Sequence, residues 1–199
     1  MAKAQIGIIL GSARLGSLGE HIFKYLQTTF VNNDEYEYNW IRLADYPLDF
    51  YEHSETPLSQ PITDLTNVES AWLTQIKAQD GYVILTPEYD HSITGALKNA
   101  LDYIGPEVDH KPVQLIAYSS YSDGGMLAAQ SVVQVLQMLK MIVLPTPTLL
   151  WNANDNFDAT GKLIADAPNS TYFAQRLAET FSEIGFYTAL LKAHPRHLD

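Results

Sequence analysis

Residues 81–104 read GYVILTPEYDHSITGALKNALDYI, and the way this stretch changes character along its length decides the fold. GYVILT (81–86) is apolar without alternation. That is the pattern of a strand buried on both faces, and such strands belong to parallel sheets covered by helices. Pro87 follows at once. From Ile93 the period changes: Ile93, Ala96, Leu97, Ala100, Leu101 and Ile104 recur every three to four residues, the stripe of an amphipathic helix. Ser92 stands where that helix needs an N-cap.

The same unit repeats outward in both directions. QIGIIL (5–10) predicts a first strand ending at Gly11, and Leu15, Leu18, Ile22, Leu26 and Phe30 then form a helical stripe. YEYNWIRL (36–43) predicts a second strand, followed by the Pro-, Asp-, Glu- and Tyr-rich loop DYPLDFYEHSETPLSQP (45–61) and a helix striped by Leu65, Val68, Trp72 and Ile76. PVQLIAY (112–118) is a fourth strand and GGMLAAQSVVQVLQMLKM (124–141) a long helix. IVLPTPTLLW (142–151) predicts a fifth strand, its prolines suited to a strand end or an edge. NSTYFAQRLAETFSEIGFYTALL (169–191) closes the chain as a helix capped by Asn169 or Ser170. Five strands alternating with helices indicate an α/β domain with a parallel sheet covered on both faces. No repeat, low-complexity tract or linker interrupts the pattern, so one domain over 1–199 is expected.

Composition narrows the chemistry. The 199 residues include no cysteine, which excludes disulfides, thiolate metal sites and a Cys nucleophile. Lys and Arg number 12 against 23 Asp and Glu, a net charge of −11. Such a surface repels phosphate backbones and anionic lipid, so neither nucleic acid nor membrane is an expected partner. The N-terminal apolar run is too short for a signal-peptide core or a membrane span, and a soluble cytoplasmic protein is expected.

Open parallel sheets bind ligands beyond the carboxyl ends of their strands, where the strand order reverses. In the order 2-1-3-4-5 the first, third and fourth strands are neighbours, so the loops GSARLGS (11–17), TPEYDHS (86–92) and SSYSDGG (119–125) are expected to meet. GSARLGS offers a tight turn at Gly11, the hydroxyls of Ser12 and Ser17, a guanidinium at Arg14 and the positive end of a helix, all suited to a terminal phosphate. It is neither a Walker loop nor a G-x-G-x-x-G fingerprint. Ser17-x-x-Glu20 also fits a capping box, which would use the Ser17 hydroxyl internally.

Two readings of TPEYDHS stand side by side. One is a conventional capped turn with Tyr89 and His91 at the surface. In the other, Pro87 leaves the N–H groups of Glu88, Tyr89 and Asp90 free to meet the acceptor edge of a flat heteroaromatic ring. In SSYSDGG, Gly124 and Gly125 permit close backbone approach at a helix start.

GSARLGS, TPEYDHSITGALKNALDYI and SDGG, in this order and spacing, resemble the NADPH-dependent FMN reductase family, which includes NAD(P)H-dependent quinone, azo-dye and chromate reductases. The resemblance covers residues 5–165. Gly11, Ser12, Arg14 and Ser17 match one family motif; Thr86, Pro87, Glu88, Tyr89, Ser92, Gly95, Leu97, Lys98, Asn99 and Ala100 match the other. Asp90 stands where the family usually has Asn, Thr94 where it has Pro, and Ser120 and Tyr121 where glycine is frequent.

The resemblance implies a flavodoxin-like three-layer sandwich with a five-stranded parallel sheet of order 2-1-3-4-5. It implies a bound FMN, with its phosphate held by Ser12, Arg14, Ser17 and the N–H of Leu18. The ring would be lined by the backbone of Pro87, Glu88, Tyr89, Asp90 and His91, with Ser119, Asp123 and Gly124 on the other side. NADPH or NADH would be the reductant, and a flavin, quinone, azo compound or similar small molecule the acceptor. No catalytic side chain and no metal are expected, because the cofactor carries the chemistry.

A homodimer or homotetramer is also implied, with the 45–61 loop and Tyr103 at the interface or rim. A rival reading is an FMN-binding electron carrier with no nicotinamide oxidation, for which the acidic surface would suit a basic redox partner. A hydrolase built on Glu88, Asp90 and His91 lacks a nucleophile elbow or metal cluster.

Overall fold

The computed structural model describes residues 3–195. Six parallel strands, β1 (Ala4–Leu10), β2 (Tyr36–Arg42), β3 (Gly81–Pro87), β4 (Pro112–Tyr118), β5 (Ile142–Val143) and β6 (Thr148–Leu150), form one sheet. The order is β2-β1-β3-β4-β5, with β6 also paired to β4. The helices are α1 (Leu18–Thr29), α2 (Asn67–Lys77), α3 (Gly95–Asp102), α4 (Met126–Met138) and α5 (Ser170–Ala193). Every residue of β3 and β4 is buried, as an unbroken apolar run requires when helices cover both faces.

Side chains alternate across the sheet and divide the interior in two. On one face Ile6, Ile8, Leu10, Val83, Leu85 and Ile116 pack with Ile22, Phe23 and Leu26 of α1 and Phe173, Leu177, Phe181 and Ile184 of α5. On the other, Ile9, Ile84, Leu115 and Ala117 pack with Trp72, Ile76, Leu97, Leu101, Val132 and Leu136 from α2, α3 and α4. The fold is the flavodoxin-like α/β sandwich.

The fifth position differs from the single strand expected over 142–151. The two short strands β5 and β6 are separated by a turn in which Pro145 and Pro147 flank Thr146 at φ 58°. Neither proline has an N–H for the ladder. The Gln114 side chain covers part of the gap, its Nε2 donating to the Pro145 carbonyl at 3.2 Å and to Glu183 at 2.8 Å. Three helix starts also differ. Leu15 and Leu65, read as the first apolar residues of their stripes, precede α1 and α2, and Leu15 is exposed. Thr94, not Ser92, caps α3. Asn169 occupies the cap position of α5 without a side-chain bond, while the Ser170 hydroxyl donates to the Ile164 carbonyl.

Candidate functional site: three loops at the carboxyl edge

Strand register brings the loops together. Leu10 lies opposite Leu85, and Pro87 opposite Tyr118, so β1, β3 and β4 end side by side. The Gly11 N–H donates to the Leu85 carbonyl at 2.8 Å. The Glu88 N–H donates to the Tyr118 carbonyl at 3.2 Å. Burial and the nearby Tyr89 push the Tyr118 phenol up while Arg14 pulls it down, so groups from the first two loops share one neighbourhood with the end of β4.

The first loop is open and rich in unspent donors. The backbone N–H groups of Ser12, Ala13, Leu15, Ser17, Leu18 and Gly19 have no acceptor among the described residues. The capping box is only half formed. The Ser17 oxygen accepts a long bond from the Glu20 N–H at 3.4 Å, but Glu20 reaches back to the Gly16 N–H at 2.6 Å, not to Ser17, and also pairs with Arg42. A hydroxyl both donates and accepts, so the cap leaves the Ser17 proton available to a ligand. Arg42 and Arg176 are paired with Glu20 and Glu179, whereas Arg14 is exposed and has no carboxylate partner among the described residues. A helix N-terminus, a row of outward N–H groups and an unneutralised guanidinium make an anion site.

The second loop corrects one expectation. Tyr89 and Ser92 exchange two backbone bonds of 2.9 Å around Asp90 (φ 48°) and His91 (φ 63°). This is a two-residue hairpin whose central residues are both left-handed. Of the three N–H groups expected to face the crevice, those of Glu88 and Tyr89 are therefore consumed, and Asp90 is joined instead by His91. Asp is one of the few residues that enters the left-handed region readily, so the Asn-to-Asp departure costs the turn little.

The Glu88 side chain, 6% exposed, is structural. One oxygen accepts from the Leu127 and Ala128 N–H groups at 2.9 and 3.1 Å, capping α4, and the other faces His91 Nδ1 at 3.2 Å.

In the third loop Gly124 and Gly125 sit at φ 64° and 80°. A Cβ on Gly125 would lie 3.0 Å from Ala117 Cβ and the Tyr118 nitrogen. The Ser119 oxygen accepts from the Tyr121 N–H at 2.9 Å, and Asp123 accepts from the Gly125 N–H at 3.3 Å. Burial works to raise Asp123, but hydrogen bonds from the Gly125 N–H and the Ser119 hydroxyl outweigh it and hold the carboxyl below its ordinary range. The N–H groups of Ser120, Ser122 and Gly124 have no acceptor among the described residues, whereas the Asp123 N–H is turned to its own carboxylate. Tyr121 is 78% exposed.

The profile of the family described as NADPH-dependent FMN reductase matches residues 4–155, and so contains all three loops. The chain belongs to the NADPH-dependent FMN reductase family. It is 29% identical over 195 residues to the NAD(P)H-dependent FMN reductase ntnL of Nectria sp, covering 96% of this chain and 93% of that protein. It is 31% identical over 159 residues to the quinone reductase of Escherichia coli (strain K12), covering 77% and 80%. Among solved structures, FerB, a flavoenzyme NAD(P)H:(acceptor) oxidoreductase from Paracoccus denitrificans, superposes with a TM-score of 0.71 at 21% identity, covering 93% of this chain and 97% of that one.

For a member of the FMN reductase family, the division of donors is informative. FMN carries a dianionic phosphate and a ring with acceptors along one edge. The first loop supplies six free N–H groups and Arg14, and the second and third supply five more among the described residues. These residues fit the cofactor. α1 presents its N-terminus open, whereas α4 has its own filled by Glu88 and Asp123. Of these two helices, α1 is the one left to receive a phosphate.

Two supports were not legible as site features. The Asn99 side chain holds the 45–61 loop by accepting from the Tyr51 N–H at 3.0 Å and donating to the Asp49 carbonyl at 2.8 Å. Asn99 belongs to the matched motif, but its partner lies 48 residues away in sequence. In the same loop His53 lies between Asp64 at 3.2 Å and the buried Glu69 at 3.1 Å, and the bond to Glu69 is the main cause that raises His53. Burial and Glu69 push the Tyr103 phenol up to about 12.

Proposed function

We propose that this protein is a single-domain FMN-dependent NAD(P)H oxidoreductase acting on a small electron acceptor of the flavin, quinone or azo type. The observation that carries the reading is the convergence of three loops whose free backbone donors match the two ends of FMN. Ser12, Arg14, Ser17 and the Leu18 N–H hold the phosphate, and Ala13, Leu15 and Gly19 add donors to the same nest. Asp90 and His91 present their N–H groups to the ring edge, with Pro87, Glu88 and Tyr89 forming the rigid base of that turn. Ser119, Asp123 and Gly124 border the ring from the other side.

When bound, FMN supplies the redox chemistry, accepting a hydride from NAD(P)H and passing electrons to the acceptor. The chain's own contribution is binding, orientation and fixed dipoles aimed at developing negative charge. No side chain is assigned as an acid or base.

The protein works in the cytoplasm as a homodimer or homotetramer, with the Asn99-anchored loop and its exposed Phe50 at the rim. No helix among the described residues is long and apolar enough to cross a membrane. Anaerobic addition of NADPH, then of NADH, to the FMN-loaded protein tests the reading. Bleaching of the flavin absorbance within seconds supports it, and a flavin that stays oxidised with both nucleotides leaves only an electron carrier.

A further inference from the structure

Thr94 departs from the family motif, and its hydroxyl is buried, with the residue 3% exposed. The oxygen accepts from the Leu97 N–H at 3.0 Å, which caps α3. Its proton is donated across the crevice to the Gly11 carbonyl at 2.6 Å. No other side chain among the described residues bonds that carbonyl. A peptide unit is planar and trans, so the Gly11 C=O and the Ser12 N–H point in opposite directions from the same rigid plane. Fixing the carbonyl toward α3 therefore turns the Ser12 N–H away from α3. That N–H has no acceptor among the described residues and is the first donor of the phosphate loop. Gly11 permits little slack elsewhere: a Cβ there would meet Leu97 at 3.0 Å and the Leu85 carbonyl at 3.1 Å, so the backbone is already tightly seated.

We propose that Thr94 is a positioning residue for the phosphate of FMN: its hydroxyl locks the Gly11–Ser12 peptide so that the Ser12 N–H points into the phosphate nest. The inference rests on the reading of the site as an FMN site and adds to it a residue outside the phosphate loop. Thr94 lies 83 residues from Gly11 in sequence and in a different loop, so one hydroxyl ties the phosphate loop to the start of α3. Proline at this position has no hydroxyl to make the bond.

The experiment compares FMN with riboflavin, which has the same ring and no phosphate, by quenching of flavin fluorescence. Thr94→Val keeps the shape and removes the hydroxyl. Thr94→Ser restores the hydroxyl. Thr94→Pro is a second variant without the hydroxyl that matches the native backbone, since Thr94 sits at φ −65° and its N–H bonds nothing among the described residues.

Thr94→Val and Thr94→Pro should each weaken FMN by about tenfold, as expected for one aligned hydrogen bond, and riboflavin by less than about twofold. Thr94→Ser should stay within about threefold of wild type for both ligands. Equal weakening of FMN and riboflavin would assign Thr94 to general stability of the crevice and overturn the proposal. Unchanged FMN affinity in both hydroxyl-free variants overturns it too. A wild-type protein that does not prefer FMN to riboflavin contradicts the FMN site itself, which is a separate failure.

Discussion

Glu88→Ala removes the carboxylate that joins the ring-edge turn to α4, and its cost follows from the contacts. Two backbone donors at the start of α4, Leu127 and Ala128, lose an acceptor at 2.9 and 3.1 Å, and His91 loses a partner at 3.2 Å. Hydrogen bonds to a charged group contribute about 1.5–3 kcal/mol each, and a carboxylate at a helix N-terminus about 0.3–1 kcal/mol from the dipole. The two bonds share one oxygen and do not add fully, so a loss of about 3–4 kcal/mol is expected. That is a large part of the roughly 5–15 kcal/mol available to a domain.

At about 2–4 °C per kcal/mol for a chain of this size, the melting temperature of the flavin-free protein should fall by about 6–16 °C. Glu88→Gln keeps an oxygen for both helix donors and an amide for His91, and should cost about 1 kcal/mol, or about 2–4 °C. Calorimetry of the two variants without flavin is the assay. Glu88→Ala melting within about 2 °C of wild type, or Glu88→Gln falling as far as Glu88→Ala, would refute the assignment of Glu88 as the cap of α4.

Arg14→Ala should weaken FMN by about 1.5–3 kcal/mol, roughly 10- to 150-fold in Kd, because the guanidinium has no carboxylate to release among the described residues. The same variant should melt within about 1–2 °C of wild type, since an exposed unpaired side chain contributes little to the fold. Calorimetric titration with FMN measures the first quantity and thermal unfolding the second. His53, raised chiefly by its bond to Glu69 and held also by Asp64, adds stability that is complete at pH below the ordinary histidine range and is lost as pH rises through the raised value. Melting temperatures of wild type and His53→Ala, followed from about pH 5.5 to 9, should therefore differ most at the acid end and converge toward the alkaline end.

The parallel sheet was legible because burial on both faces leaves a mark in single strands: GYVIL and PVQLIAY carry no alternation, and every residue of both is buried. The meeting of three loops followed from strand order alone. What escaped the sequence depends on partners distant along the chain. The Glu88 and Tyr89 N–H groups looked free beside Pro87, yet one goes to the end of β4 and the other closes a hairpin. That hairpin has Asp-His at its centre, not the Asn-Gly that announces such a turn. The acidic side chain of Glu88 suggested chemistry, but one of its oxygens caps the start of a helix 39 residues away and the other faces His91. Ser92 looked like the cap of α3 because caps are chosen locally, whereas Thr94 is held there by a carbonyl of the first loop. The fifth strand broke where two prolines bracket a left-handed Thr146, a local conflict that a count of apolar residues overlooks.

If backbone N–H groups of the three loops bind FMN, amide NMR of the labelled protein during FMN titration will register it residue by residue. The largest shifts and the greatest slowing of hydrogen exchange are expected at Ser12, Ala13, Leu15, Ser17, Leu18 and Gly19, at Asp90 and His91, and at Ser120, Ser122 and Gly124. The already bonded amides of Glu88, Tyr89, Leu127 and Ala128 should gain little protection. Protection gained instead at those four amides, or perturbations centred away from the carboxyl edge of β1, β3 and β4, would contradict it.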